Sequence, residues 1–362
     1  MPATGEQALG NAAAGVPKGA SLRGHALPSH RIVMAWTGHT CDMSATTFVT
    51  LLAGGFGGAR MAHGFALLGD QVSLTIIGNT GDDLELHGLR ISPDLDTVMY
   101  TLAGLANAQT GWGVRDETWS AEAMLESYGE PTWFRLGDRD LATHIVRTAR
   151  LAAGERLKDI TRDLCRALGV SATILPMTED PVRTKVRTRD GWLDFQDYFV
   201  RRHHSDDVDE VRFDGIETAR PTAEVISAVE AADLIVIAPS NPYVSVAPIL
   251  SLRGVLDALL SASAPTIAIS PIIGGEALRG PAAQMMRSLG TEPSALGIAA
   301  HYAGRYPNLV DTLVIDEADV FEADAIAAHG IHPATAQIVI STDEQQRRLA
   351  SDLLRIARLD RD

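Results

Sequence analysis

A doubly wound α/β fold is what the apolar pattern of this chain predicts, and three features predict it. The run Thr47–Ala53 is apolar, rich in β-branched side chains and stops at glycines, as a buried parallel strand does. Residues 60–68 then permit a helix, and residues 72–77 form a second apolar strand after a turn at Gly69-Asp70. Apolar strands recur at 234–238 and 266–270, each bounded by helical patterns and by proline. Strand, glycine turn, helix and strand in that order open a Rossmann-like three-layer α/β/α architecture with a mostly parallel sheet.

The remaining elements are set by local pattern. Residues 94–106 and 140–170 read as helices, the second with Leu141, Ile145 and Val146 on one face. Between them lies a loop-rich stretch, 107–139, that holds Trp112, Trp119 and Trp133 in a chain with only 5% aromatic residues. Such a concentration suits either a wall for a flat ligand or a local packing cluster. Residues 185–199 alternate around Arg189-Asp190-Gly191, a tight hairpin signal, so about 107–225 reads as an inserted helical and β-hairpin subdomain. The acidic run 205–210 reads as a solvated loop. Late strands are expected at Thr312–Ile315 and 337–340, giving a main domain over 47–320 and a C-terminal α/β segment, 321–362, packed on it. Residues 1–46 lack hydrophobic periodicity and the apolar core of a signal peptide, and disorder is expected there.

Composition narrows the function classes. With 362 residues, 46% hydrophobic and 21% charged, the chain has the make-up of a soluble globular protein. A formal charge of −15 opposes affinity for nucleic acid or anionic membrane, which depends on clustered cations. Lys18, Lys158 and Lys185 are the only lysines, so arginine carries nearly all the positive charge and suits bidentate phosphate recognition. Cys41 and Cys165 alone make no disulfide framework, and no apolar run reaches membrane-spanning length. A cytoplasmic protein is the expectation.

Four clusters carry chemistry. The first is Gly54-Gly55-Phe56-Gly57-Gly58-Ala59-Arg60, where glycines after a strand let backbone approach a phosphate. Its third dinucleotide-fingerprint position is Arg60, and Ile77 is followed by Gly78 and Asn79 rather than by a ribose-binding acid. Both points demote a nicotinamide-dependent oxidoreductase. The second cluster runs from Gly78 to Thr97. Asp82 and Asp83 lie just past the second strand, where open α/β sheets bind ligands, and adjacent carboxylates there favour a cation or a raised pKa. Asp94 and Asp96 precede a helix, where one of them would serve as its N-cap, and His87 is either a substrate contact or a structural histidine. The third is Gly137-Asp138-Arg139-Asp140, a helix start in which Arg139 has an alternative role toward a phosphate. The fourth pairs the Pro239-Ser240-Asn241-Pro242 turn with Ser270-Pro271-Ile272-Ile273-Gly274-Gly275, near Arg279, as crevice walls.

Taken in order and spacing from about Thr47 to Asp319, these motifs, with Gly111-Trp112-Gly113 and Glu117-Thr118-Trp119, resemble the 2-phospho-L-lactate transferases of coenzyme F420 biosynthesis, the CofD and FbiA proteins. The resemblance implies transfer of a phospho-organic-acid group from a GDP-linked donor to the ribityl hydroxyl of the deazaflavin Fo. GMP is released, Mg2+ is required, and the enzyme is a homodimer with small-molecule substrates. The transferred acid would be 2-phospho-L-lactate, phosphoenolpyruvate or 3-phosphoglycerate. Asp82, Asp83, Asp94 and Asp96 are then the catalytic candidates, with Asp82, Asp83 and Asp96 on the metal. Asp83, His87, Trp112, Arg115, Glu117 and Trp119 would meet Fo. Gly54, Gly55, Gly57, Gly58, Arg60, Asn79, Ser240, Asn241, Gly274 and Gly275 would hold the nucleotide. A non-enzymatic nucleotide-sugar-binding regulator of a related gluconeogenesis-factor family is the alternative reading.

Overall fold

The computed structural model describes residues 46–277 and 280–359. The disorder expected before Thr46, the environment of Cys41 and the position of Arg279 lie outside the described residues. Seven strands form the main sheet: β1 (Thr47–Ala53), β2 (Val72–Gly78), β3 (Thr173–Pro176), β4 (Leu234–Ile237), β5 (Thr266–Ile269), β6 (Thr312–Ile315) and β7 (His332–Thr335). Their spatial order is β7-β6-β5-β4-β1-β2-β3, and every neighbouring pair is parallel.

That order locates the site. The chain winds outward from β1 through β2 to β3, then returns to place β4 on the other side of β1. The winding reverses between β1 and β4, and ligands of open parallel sheets bind in the crevice beyond the carboxyl ends of such strands. Both faces of the sheet are covered, because successive residues of one strand feed opposite cores. Leu51 and Ile76 pack on one side, and Leu52 and Ile77 on the other.

Among the described residues, the first half of the chain supplies five helices: α1 (Gly55–Ala66), α2 (Pro93–Leu102), α3 (Ser120–Ser127), α4 (Asp138–Ala152) and α5 (Leu157–Ala167). α1 begins earlier than the apolar pattern suggests, so Gly57 and Gly58 form its first turn rather than a loop. The single helix expected over 140–170 is two, α4 and α5, parted at Gly154, whose φ of +86° ends a right-handed helix.

The hairpin expected around Arg189-Asp190-Gly191 is present, joining Arg183–Thr188 to Gly191–Asp194. A third strand, Glu210–Asp214, pairs on the other side of Arg183–Thr188, and the acidic run is irregular until Glu210. Residues 107–225 are not wholly an insertion, since β3 belongs to the main sheet. Nor is 337–340 a strand. Ile338 and Ile340 pack into the core beneath an irregular strap, while β7 is the edge strand, where the missing N–H of Pro333 is tolerated. Among the described residues no single helix is long and apolar enough to cross a membrane.

Candidate active site

At the switch point the loops after β1, β2 and β4 are tied to one another. Gly55, with φ +62°, donates its N–H to Asp94 Oδ1 at 2.8 Å. Asn79 Nδ2 donates to Asp94 Oδ2 at 2.9 Å, and its Oδ1 accepts the Gly81 N–H at 2.8 Å. Ser240 Oγ donates to the Gly54 carbonyl at 2.8 Å. The glycines are what this closeness requires. A Cβ on Gly54 would stand 2.7 Å from Asp94 Oδ2, and one on Gly57 would collide with the Pro239 carbonyl. The glycine turn and the acidic run therefore meet at the positive end of α1.

Beside this knot lies a cleft of about 360 Å³, lined on one side by Gly81, Asp82 and Asp83 and on the other by the hairpin residues Arg183, Thr184 and Phe195, with Gln196 and Trp133. Asp82 Oδ1, Asp83 Oδ1 and Thr184 Oγ1 are buried and have no hydrogen-bond partner. Burial, and then the nearby charge of Asp94, push the Asp82 carboxyl well above the usual range. Burial lifts Asp83 to about 7, opposed by the Ser92 hydroxyl, which donates to its Oδ2 at 2.8 Å, and by the Arg183 guanidinium. Asp94 is raised to about 6 by burial, held down partly by its bonds to Asn79 and Gly55.

Two desolvated carboxylates with unused oxygens fit a divalent cation. Magnesium takes one or two carboxylates from a protein and completes its octahedron with water and substrate phosphate. Asp82 and Asp83 would hold it. The larger ligand set does not assemble, for among the described residues no group of three or more His, Cys, Asp or Glu side chains is arranged around a metal position.

Asp96 differs from the expectation. Both its carboxylate oxygens accept from the guanidinium of Arg147, a side chain 1% exposed. Positions 94 and 96 lie two apart on α2 and so project from different faces: Asp94 reaches the glycine turn, Asp96 the packed side toward α4. His144, Asp140 and Tyr100 continue that buried cluster, with Tyr100 donating to Asp140 at 2.7 Å.

Several other candidates make contacts within the fold. Glu117 accepts the Arg139 and Asp140 N–H groups, each at 2.9 Å, capping α4, while Asp138 accepts from Ser120 and Ala121 and caps α3. Trp112 and Trp119 meet edge to face at 6.5 Å, and Arg135 stacks on Trp119 at 3.9 Å. Arg115 is exposed, its carbonyl accepting from Arg139. His87 and Gly88, with φ +52° and +72°, form the tip of the hairpin between Leu84–Leu86 and Leu89–Ile91. Arg60 lies over Phe56 and donates to the Ile340 carbonyl at 3.1 Å. Asn241 caps the turn through Tyr243 N–H. Gly274 and Gly275 turn another small hairpin, and the Gly274 N–H is taken by buried Asp319 at 3.0 Å. Sequence reasoning missed Arg183, Thr184 and Gln196. Their signal was only the hairpin itself, with nothing to say that it folds back onto the Asp82 turn.

The sequence pattern described as 2-phospho-L-lactate transferase CofD matches residues 49–354. The chain belongs to the CofD family. Like that family it is a transferase of coenzyme F420 biosynthesis. A phosphoenolpyruvate transferase of Kitasatospora aureofaciens is 42% identical over 315 residues, covering 85% of this chain and 97% of the relative. Those of Thermobifida fusca and Mycobacterium ulcerans are 41% and 42% identical, covering 85% and 80% of this chain and 97% and 96% of their own. A crystal structure of a UPF0052 family member from Bacillus halodurans superposes with a TM-score of 0.60 at 16% identity, covering 86% of this chain and 99% of that one. It shares the fold. Membership of the CofD family sets aside the oxidoreductase and regulator alternatives.

Proposed function

We propose that this CofD-family transferase moves a phosphoenolpyruvyl group from a GDP-linked donor to the ribityl hydroxyl of Fo and releases GMP. Phosphoenolpyruvate is chosen among the three acids because the similar relatives named above are phosphoenolpyruvate transferases. One observation carries the reading: the unpartnered Asp82 and Asp83 oxygens share a cleft that adjoins the glycine turn.

The hydroxyl oxygen forms a bond to the phosphorus that bears the enolpyruvyl group. The bond from that phosphorus to the bridging oxygen breaks, and the oxygen leaves on GMP. The hydroxyl proton passes to a carboxylate of the Asp82-Asp83 pair. Burial lifts the metal-free Asp83 carboxyl to about 7, and a cation would lower it, so the proton goes to a carboxylate oxygen that is not on the metal. Asp82 and Asp83 would hold a magnesium ion, which would supply neutralisation of charge when bound. The amino end of α1 favours the negative guanylate, and Asp94 orients the Gly55 turn that presents it.

Incubation with Fo, Mg2+ and the three guanylated donors, read by mass spectrometry, tests this. The expected result is the enolpyruvyl-phosphoryl adduct of Fo together with GMP. Turnover confined to the phospholactate or phosphoglycerate donor would contradict the donor assignment, and no adduct with any donor would contradict the function.

A further inference from the structure

Arg183 lines the cleft, where its charge acts on Asp83 without a close ion pair. Among the described residues it makes no ion pair, and its side-chain hydrogen bond goes to the adjacent Val182 carbonyl at 2.7 Å. The other arginine of the cleft, Arg201, is bridged to Asp197 at 3.4 Å.

Its place is fixed rather than adventitious. The Thr184 N–H donates to the Gly81 carbonyl at 2.7 Å, and Gln196 Nε2 donates to the Asp82 carbonyl at 3.1 Å. These two bonds clamp the hairpin against the Asp82 turn, so that Arg183 and the two acids line one cleft. Thr184 is 2% exposed, and its hydroxyl lies on the Asp82 side, where it holds the Asp82 pKa down. A guanidinium lining a cleft offers the planar fork that receives a planar oxyanion. The acids opposite would repel that anion unless it belonged to a molecule already held there.

Building on the function proposed above, we infer that Arg183 binds the carboxylate of the phospho-acid being transferred and so selects donors bearing a carboxylate. The phosphate that accompanies it faces Asp82 and Asp83, so the transferred group spans the cleft between its cationic and acidic walls.

The test is a cycle of one protein and one chemical change. Wild type, Arg183→Gln and Arg183→Lys are each assayed with the guanylated phosphoenolpyruvate donor and with its carboxamide analogue. For the carboxylate donor, Arg183→Gln is expected to lower kcat/KM about 10- to 100-fold, and Arg183→Lys, which keeps charge but loses the fork, by less. With the carboxamide donor the wild type falls by a similar factor, and Arg183→Gln causes no further loss. Equal loss with both donors would mean that Arg183 holds a phosphate and would overturn the assignment. Unchanged rates in both variants would overturn it as well. Absence of turnover by wild type with every donor would overturn the transferase reading itself, and the assignment with it.

Discussion

Asp82 with Asp83 and Asp96 with Arg147 come from one acid-rich stretch, yet the fold treats them oppositely. The first pair faces a cleft with an unused oxygen on each carboxylate, and burial raises the proton affinity of both. The second is sealed between α2 and α4, with every carboxylate oxygen of Asp96 engaged by a guanidinium. A carboxylate left unsatisfied costs folding energy and is available to a ligand; one that is paired holds helices together and is not. Function should therefore respond to changes at the first site, and stability to changes at the second.

The largest expected effect is on the cleft. Removing divalent cations with a chelator should lower transfer at least about a thousandfold, with recovery on adding Mg2+, as expected where charge neutralisation drives phosphoryl transfer. Activity that persists under chelation would separate the acids from any metal. Next, Asp96→Ala strands the Arg147 guanidinium in the core and should cost about 3 to 5 kcal/mol in urea unfolding. A loss below about 1 kcal/mol would mean that the cluster is hydrated or rearranges freely.

A pH titration separates the sites more finely. Asp83 holds its proton to about 7 when folded, whereas the unfolded carboxyl ionises near its ordinary value of 3.8. Between about 4 and 7 the folded state binds more protons than the unfolded one, so this group's contribution to stability falls as pH rises through that window. Without divalent cation, Asp83→Asn should therefore gain stability relative to wild type from pH 4 to 8. A difference that stays flat across that range would show that the Asp83 carboxyl is hydrated. Gly57→Ala, placed against the Pro239 carbonyl, should lower the Tm by several degrees and weaken donor binding. The smallest effect is expected at the tryptophans. Trp133→Phe should reduce Fo-induced fluorescence quenching more than Trp112→Phe, because Trp133 lines the cleft and Trp112 packs on Trp119.

Much of this architecture was legible because buried parallel strands are written as short apolar runs. Thr47–Ala53 and Thr312–Ile315 are bounded as expected, and the glycine turn and acidic run do meet. What stayed hidden was set by tertiary contact. Residues 337–340 have the alternation of a strand, but their isoleucines are buried without a sheet partner. Glu117 resembles a ligand-facing acid, yet it caps a helix that starts more than twenty residues later. Asp94 and Asp96 look equivalent in the sequence, and only the helical phase, with the distant Arg147, divides them. Arg183 and Thr184 belong to no motif, since their role comes from a strand folding back across the Asp82 turn.

Single-turnover transfer by Asp82→Asn and Asp96→Asn, at saturating Mg2+ and donor and normalised to the folded fraction, puts the contrast to its hardest trial. Asp82→Asn should be slowed at least about a thousandfold while remaining folded, and Asp96→Asn should stay within about tenfold of wild type per folded molecule. Equal rates in the two variants, or a well-folded Asp96→Asn as slow as Asp82→Asn, would contradict the division of these acids into a reactive pair and a structural one.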